Sequence, residues 1–356
     1  MFVGRSTWHQ HVTKDRRKTV GVEAGIPNTY RFVWSGRSFP KLYALAIDSV
    51  LVADPAARVV IHCFGEAPAS AHFLRATCDP RVTVERVEPT EIFNALPAHL
   101  RRVADIYESL PTSAASAQSN LLRYALLYLH GGVYLDFDTV TVRPLNNLTD
   151  GACFIGAERV WSLDERRVAG EFRVVRSPAG LCWLVIWVLK WLDAALFDGR
   201  LRLASRTRRL NARFTKLQAN NAVIGAAPQA EFLDRLLRSA HSADPKIRYS
   251  TGPTLIDRVA RTSPHLVDVL PPEYFYGVEP AESFRFFLDH TLKLHPDAAL
   301  IHYVGSNSSR FLNKRKIPAR SLIAQLAASV GPAGLSRDAA RTSAADLRVA
   351  NETALQ

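Results

Sequence analysis

Cysteine is scarce. The 356-residue chain has four, Cys63, Cys78, Cys153 and Cys182, with no CxxC and no short repeat spacing. That scatter argues against structural zinc, and a disulfide framework is not expected in so long a chain, so a reducing, cytoplasmic compartment is the expectation. The opening stretch, MFVGRSTWHQHVTKDRRKTV, lacks an apolar run of signal-peptide length, and export by that route is not indicated. Acidic residues are in the minority: 33 Asp and Glu against 45 Lys and Arg leave a net charge of +12. The excess favours acidic partners, whether phosphorylated substrates, nucleic acid or an anionic membrane surface, without choosing among them. No apolar run reaches the roughly 20 residues needed to span a bilayer. The nearest is LCWLVIWVLKWLDAALF, Leu181 to Phe197, which Lys190 and Asp193 interrupt. Internal repeats and nucleic-acid-binding motifs are also missing.

What remains is ordinary for a globular protein, 47% hydrophobic and 22% charged, which excludes disorder throughout. Residues 1–25 are polar and charged and read as a loose arm. The stretches TYRFVWSG, ARVVIHCFG and RVTVERVEP read as strands, with a helical pattern (Leu42, Leu45, Ala46, Val50) between the first two. Strand–helix–strand order predicts an α/β fold with a mostly parallel sheet. Ser113 to His130 reads as a strong helix stopped by Gly131 and Gly132 in the manner of a left-handed C-terminal cap. The strand VYLDF follows at once, and GACFIGAE is a further strand. ANNAVIGAAP reads as a loop entering a short strand, EFLDRLLRSA and TGPTLIDRVA as helices, and LIHYVGSNSSRF as a strand ending in polar residues. The section 160–216 is rich in Trp and Arg and reads as an insertion, either a buried helix or one lying in a membrane surface. Beyond Ile317 the Ala/Ser/Arg-rich chain reads as a tail over 317–356.

The chemistry concentrates in YLDFDTVTV, where Asp136 and Asp138 project to one face if the strand persists that far. Two close carboxylates repel unless a cation stands between or before them. Three readings fit. A solvated strand end is the plainest. A phosphatase of the haloacid-dehalogenase type would use Asp136 as nucleophile and Asp138 as acid/base, but no adjacent Asp pair or GDxxxD pattern follows to complete its magnesium site. A metal-dependent glycosyltransferase would use the pair around a divalent cation that neutralises a departing diphosphate. A binding protein for nucleic acid or an anionic surface is a further alternative, supported by the arginines between Arg200 and Arg213.

The run SNLLRYALLYLHGGVYLDFDTVTVRPL resembles the DXD-containing sugar-transferase family 32, a family related to the glucosylating domains of clostridial toxins. IPNTYRFVWSG, NNAVIGAAP, TGP (Thr251 to Pro253) and IHYVGSNSSRF resemble further blocks in the family's order, so the resemblance spans roughly 26–311. It implies a GT-A type nucleotide-diphospho-sugar transferase fold over 26–316. It also implies a UDP- or GDP-sugar donor, Mn²⁺ or Mg²⁺ as cofactor, and transfer of a hexose to a glycan, glycolipid or protein acceptor with retention, in surface glycan or glycolipid synthesis. No specific nucleic acid is expected, and peripheral association with the inner face of an anionic membrane is.

By the same resemblance, Arg123 faces the donor, Asp136 binds ribose or sugar hydroxyls, and Asp138 ligates the metal. Asn120 stands where many relatives carry Asp. Tyr134 would line the donor pocket, Trp34 would stack beside the nucleobase, and Asn220 or Asn221 would lie near donor and metal. His302 is an expected ligand or phosphate contact. The closing block departs from the family: SNSSRF lacks the usual Trp, leaving Asn307 or Ser308 as its substitute ligand.

Overall fold

The structure, a computed structural model, describes residues 25–111, 113–161, 178–212, 215–244, 249–308 and 317–331. The expected arm therefore lies almost wholly outside the described residues. Nine strands are described: β1 (Thr29–Trp34), β2 (Arg58–Cys63), β3 (Val82–Arg86), β4 (Gly132–Leu135), β5 (Thr139–Thr141), β6 (Cys153–Trp161), β7 (Thr215–Ala226), β8 (Asp268–Leu270) and β9 (Leu300–His302). Seven form one sheet in the order β3-β2-β1-β4-β7-β6-β8, and β5 pairs with β9 separately. Within the large sheet β7 alone runs against its neighbours, β4 and β6. The other pairings are parallel. The expected mostly parallel α/β sheet flanked by helices is present.

Parallel strands need both faces covered, and they read as apolar runs for that reason. Tyr30, Phe32, Val59, Ile61, Val133 and Leu135 are all fully buried, against helix Ala44–Ala53 on one side. The other face packs under helix Ala115–His130 and the amphipathic helices Glu231–Ala240 and Pro253–Thr262. The helix Ala115–His130 is buried almost all round from Asn120 to Tyr128, so its polar residues Asn120 and Arg123 point into protein, not solvent. It stops as expected. Gly131 and Gly132 take φ of +62° and +104°, and the chain reverses directly into β4.

Two readings need revision. ANNAVIGAAP is not a loop entering a short strand but the last two-thirds of β7, a 12-residue strand central to the sheet. Its register against β6 shifts within this stretch: Ile155 pairs with Ile224 and Gly156 with Asn220, so 221–223 of β7 have no partner on β6. Part of the expected tail is also core. Leu322–Val330 is a helix capped by Ser321, and Leu322, Ile323 and Val330 bury against Ile301 and Tyr303. The stretch 160–216 connects the antiparallel neighbours β6 and β7, which still pair at Trp161 and Thr215, and it carries the helix Pro178–Leu196.

Gly132 generates a test. A Cβ there would stand 2.3 Å from the Thr29 carbonyl oxygen of β1, in a backbone conformation that L side chains rarely adopt. Neither the strand pairing nor the left-handed φ can relax independently. Gly132→Ala is expected to destabilise by roughly 2–4 kcal/mol, read as a lowered urea midpoint with unchanged m.

Candidate active site

Asp136 and Asp138 lie just beyond β4, not within it, and still converge. The residue between them decides this. Phe137 turns into an aromatic cluster, stacked on Phe32 at 4.6 Å and edge-on to Phe39 at 5.1 Å and Trp34 at 5.4 Å. With Phe137 anchored inward, its two neighbours must face the opposite way. The Asp136 N–H donates to Ala222 O at 2.9 Å, and Thr139 Oγ1 donates to Asp136 O at 2.7 Å, fixing the turn.

The two carboxylates meet different partners. Asp136 Oδ1 accepts from the Tyr134 hydroxyl at 2.6 Å and lies 3.1 Å from Arg123 Nη1. Burial pushes its carboxyl up, with Arg123 pulling the other way. Asp138 Oδ1 lies 3.2 Å from His302 Nε2, and its Oδ2 accepts from the Gly305 N–H at 2.6 Å. Burial would raise Asp138 too, but His302 and the Gly305 amide hold it below the usual carboxylate range. His302 is buried, which alone disfavours its charge; Asp138 outweighs that and raises it to about 9.

His302 reaches Asp138 through the small sheet. Thr139 of β5 pairs with His302 of β9, so a residue more than 160 positions away lands beside the turn. One ligand atom each from Asp136, Asp138 and His302 lies within 4.8 Å of the others, the only such group among the described residues. The His302 Nδ1 is buried with no hydrogen-bond partner. Two carboxylates and an imidazole suit a divalent cation, with Mn²⁺ tolerating the nitrogen better than Mg²⁺.

Arg123 is the hinge of the arrangement. It is buried, donates to Asn221 O at 2.8 Å and Ser119 Oγ at 3.2 Å, and stacks 4.1 Å above the Tyr134 ring. Asn120 and Asn221 bond to each other, Asn221 Nδ2 donating to Asn120 Oδ1 at 2.8 Å and to the Tyr124 hydroxyl at 3.0 Å. Tyr124 in turn donates to Thr251 O at 3.1 Å. The Thr-Gly-Pro turn belongs here because a Cβ on Gly252 would stand 2.7 Å from the Asn120 amide nitrogen. Trp34 ends β1 on the same sheet edge, its ring against Phe137 and its indole N–H donating to Gly36 O at 2.8 Å.

Of the expected residues, the structure brings together Asp136, Asp138, His302, Arg123 and Tyr134. Asn120, Asn221 and Trp34 surround them. Asn307 does not join the ligands: it is exposed, and its amide donates to Pro280 O at 3.0 Å. Ser308 is buried on Tyr303 O and Ser283. The closing block contributes a backbone amide, that of Gly305, in their place. Asn220 faces a residue that sequence reasoning missed. Its Nδ2 donates to Glu158 Oε2 at 2.5 Å, and its Oδ1 accepts from the Ala222 N–H at 2.8 Å. Glu158 is buried on β6, its carboxyl pushed up by desolvation against the pull of His302 and Asn220. The only sequence signal was a lone acid closing an apolar strand. Tyr43 was missed as well; a Cβ on Gly305 would stand 2.5 Å from its hydroxyl and 3.3 Å from Asp138 Cβ.

Residues 76–155 match the family model described as the glycosyltransferase sugar-binding region containing the DXD motif. No curated protein matches the sequence. Among solved structures, the PaToxG glycosyltransferase is similar with a TM-score of 0.42 at 15% identity, over 67% of this chain and 69% of that one. The UDP-bound glycosyltransferase domain of the YGT toxin gives 0.37 at 9%, over 69% and 79%. The galactosyltransferase LgtC, in complex with donor and acceptor sugar analogues, gives 0.36 at 13%, over 87% and 98%. Similarity at this level transfers no chemistry, and the site must be read from its own residues.

Two outcomes check this geometry. Asp138→Ala is expected to weaken Mn²⁺ binding at least ~10-fold by titration calorimetry, while Asn307→Ala leaves it unchanged. Asn220→Ala strips a buried carboxylate of its donor and is expected to cost about 1–3 kcal/mol in urea unfolding.

Proposed function

We propose that the protein, a DXD-type glycosyltransferase by its sugar-binding region, moves a hexose from a UDP- or GDP-sugar to an acceptor hydroxyl with retention of configuration. The observation that carries the reading is the convergence of Asp136 and Asp138, which lie with the buried Arg123 inside residues 76–155, on His302 from β9. Asp138 and His302, with Asp136, would hold a divalent cation, Mn²⁺ by preference. When bound, that cation neutralises the charge of the departing diphosphate.

The chain's own residues divide the remaining work. Arg123 is held in place by Asn221 and Ser119, so its guanidinium is fixed before substrate arrives. It keeps Asp136 oriented, and Asp136 receives donor hydroxyls with its outward lone pairs. Trp34 closes the same sheet edge, where open α/β sheets bind ligands, and would stack on the base. The departing phosphate takes the acceptor proton, so the site needs no enzymatic nucleophile. The protein supplies positioning and charge stabilisation. The inferred acceptor is a glycan or glycolipid made in the cytoplasm for the cell surface.

The test is a panel of UDP- and GDP-sugars with Mn²⁺, scored for hydrolysis and for the anomer of the released sugar. One donor is expected to turn over with retention. Asp138→Ala should lower that turnover by about 10²–10³, with circular dichroism confirming that the variant is folded. Full activity in Asp138→Ala, or an inverted product, would sink the reading.

A further inference from the structure

The helix Pro178–Leu196 is amphipathic in the wrong sense for a surface helix. Its two charged residues point inward. Lys190 is buried and paired with Glu282, and buried Asp193 accepts the Leu201 and Leu203 N–H groups at 3.0 and 2.9 Å. Trp187 also faces the protein, donating to Ala281 O at 2.6 Å. The outward face is apolar: Leu181, Val185, Val188, Leu189 and Leu196 are exposed, Leu196 by 67%. At 100° per residue these five fall within one stripe, opposite Ile186, Lys190 and Asp193.

The stripe is not an isolated accident. Twelve large apolar side chains are exposed among the described residues, and eight of them lie between 181 and 210. Scattered exposed leucines need no explanation, but a contiguous apolar surface does. Immediately after the helix come Arg200, Arg202, Arg206, Arg208 and Arg209, all exposed, with no acidic residue from 199 to 212. Apolar side chains beside a block of arginines match a bilayer interface, where acyl chains take the first and anionic headgroups the second. No described helix is long and apolar enough to cross a membrane.

We propose that this face binds the surface of an anionic phospholipid bilayer, the helix lying in the plane of the interface with its leucine and valine stripe inserted and the arginines at headgroup level. The inward Lys190–Glu282 and Asp193 contacts are what free the outer face for lipid, since they lock the helix against 281–288 without using the stripe. The same insertion walls a cavity of about 400 Å³ whose other side includes Tyr276, Leu300 and Ile301. Tyr276 lies against the His302 ring at 5.6 Å. A surface-bound protein would thus hold a cavity between the lipid face and the catalytic edge.

The experiment is co-sedimentation of the full chain with phosphatidylcholine vesicles and with vesicles containing phosphatidylglycerol, without nucleotide sugar or metal. It therefore reads lipid binding independently of sugar transfer. Binding is expected only to the anionic vesicles. Val185→Glu/Leu189→Glu and, separately, Arg206→Glu/Arg209→Glu should each reduce it at least ~10-fold. Leu74→Glu, at an exposed apolar residue elsewhere, should leave it unchanged, and circular dichroism confirms that each variant is folded. Recovery of the parent protein in the soluble fraction with both vesicle types would overturn the proposal. So would binding indifferent to vesicle charge or to both double variants. A dimer in sedimentation velocity that Val185→Glu/Leu189→Glu splits, without vesicle binding, would assign the face to a second copy instead.

Discussion

A buried guanidinium is the constraint around which the site is built. Arg123 is almost wholly shielded from water and cannot shed its proton to relieve the cost. An unpaired charge there would cost several kcal/mol, a large share of the stability of a whole domain. The fold meets that demand from three elements: Asp136 after β4, the Asn221 carbonyl on β7, and Ser119 one turn earlier on the same helix. Asp136 and Asn221 also tie the helix to the sheet. The antiparallel β7 is needed at this place because its bulge opposite β6 leaves the Asn221 carbonyl free for Arg123 while Ala222 pairs with Asp136. Helix, turn and strand are therefore positioned by one charge.

Burial and different partners separate the two aspartates chemically. Asp136 is shared by a cation and a hydroxyl within its own neighbourhood, whereas Asp138 faces an imidazole and a backbone amide brought from β9 and the residues after it. Like carboxylates close together push each other's proton affinity up, and different partners then split them. Asp136 moves upward and Asp138 downward. A pair divided in this way has one member suited to hydroxyl groups and the other to a cation.

How much of this could be read from the sequence depends on how local each cause is. The helix, its double-glycine stop, the strand and the carboxylates follow one another within 115–138, and the family resemblance over that run put Arg123 and Asp136 at the donor. Convergence was expected from strand alternation, yet the strand ends at Leu135, and it is the burial of Phe137 that restores the alternation. His302 was singled out by its block. Its partner could not be known without the β5–β9 pairing, which no local pattern announces. Glu158 was illegible for a related reason: it gains its meaning from Asn220 on the neighbouring strand β7, 62 positions away, and no local pattern announces that pairing. In 181–197 the charges were read as interruptions of an apolar run. The structure shows that they are the anchors, because a buried Lys–Glu pair 92 residues apart reverses which side of the helix is wet.

The phosphatase alternative meets its difficulty at Asp136. A carboxylate that attacks phosphorus gives up its charge in the acyl phosphate, and the cost of doing so must be low. Asp136 Oδ1 already serves Arg123 and Tyr134, and withdrawing its charge would leave that guanidinium without its carboxylate. The cluster is also completed by an imidazole from β9, not by the downstream carboxylates such a magnesium site requires. A transferase makes the opposite demand. It needs Asp136 to stay ionised and still throughout the reaction, and a buried cation with three fixed contacts is the means of keeping it so.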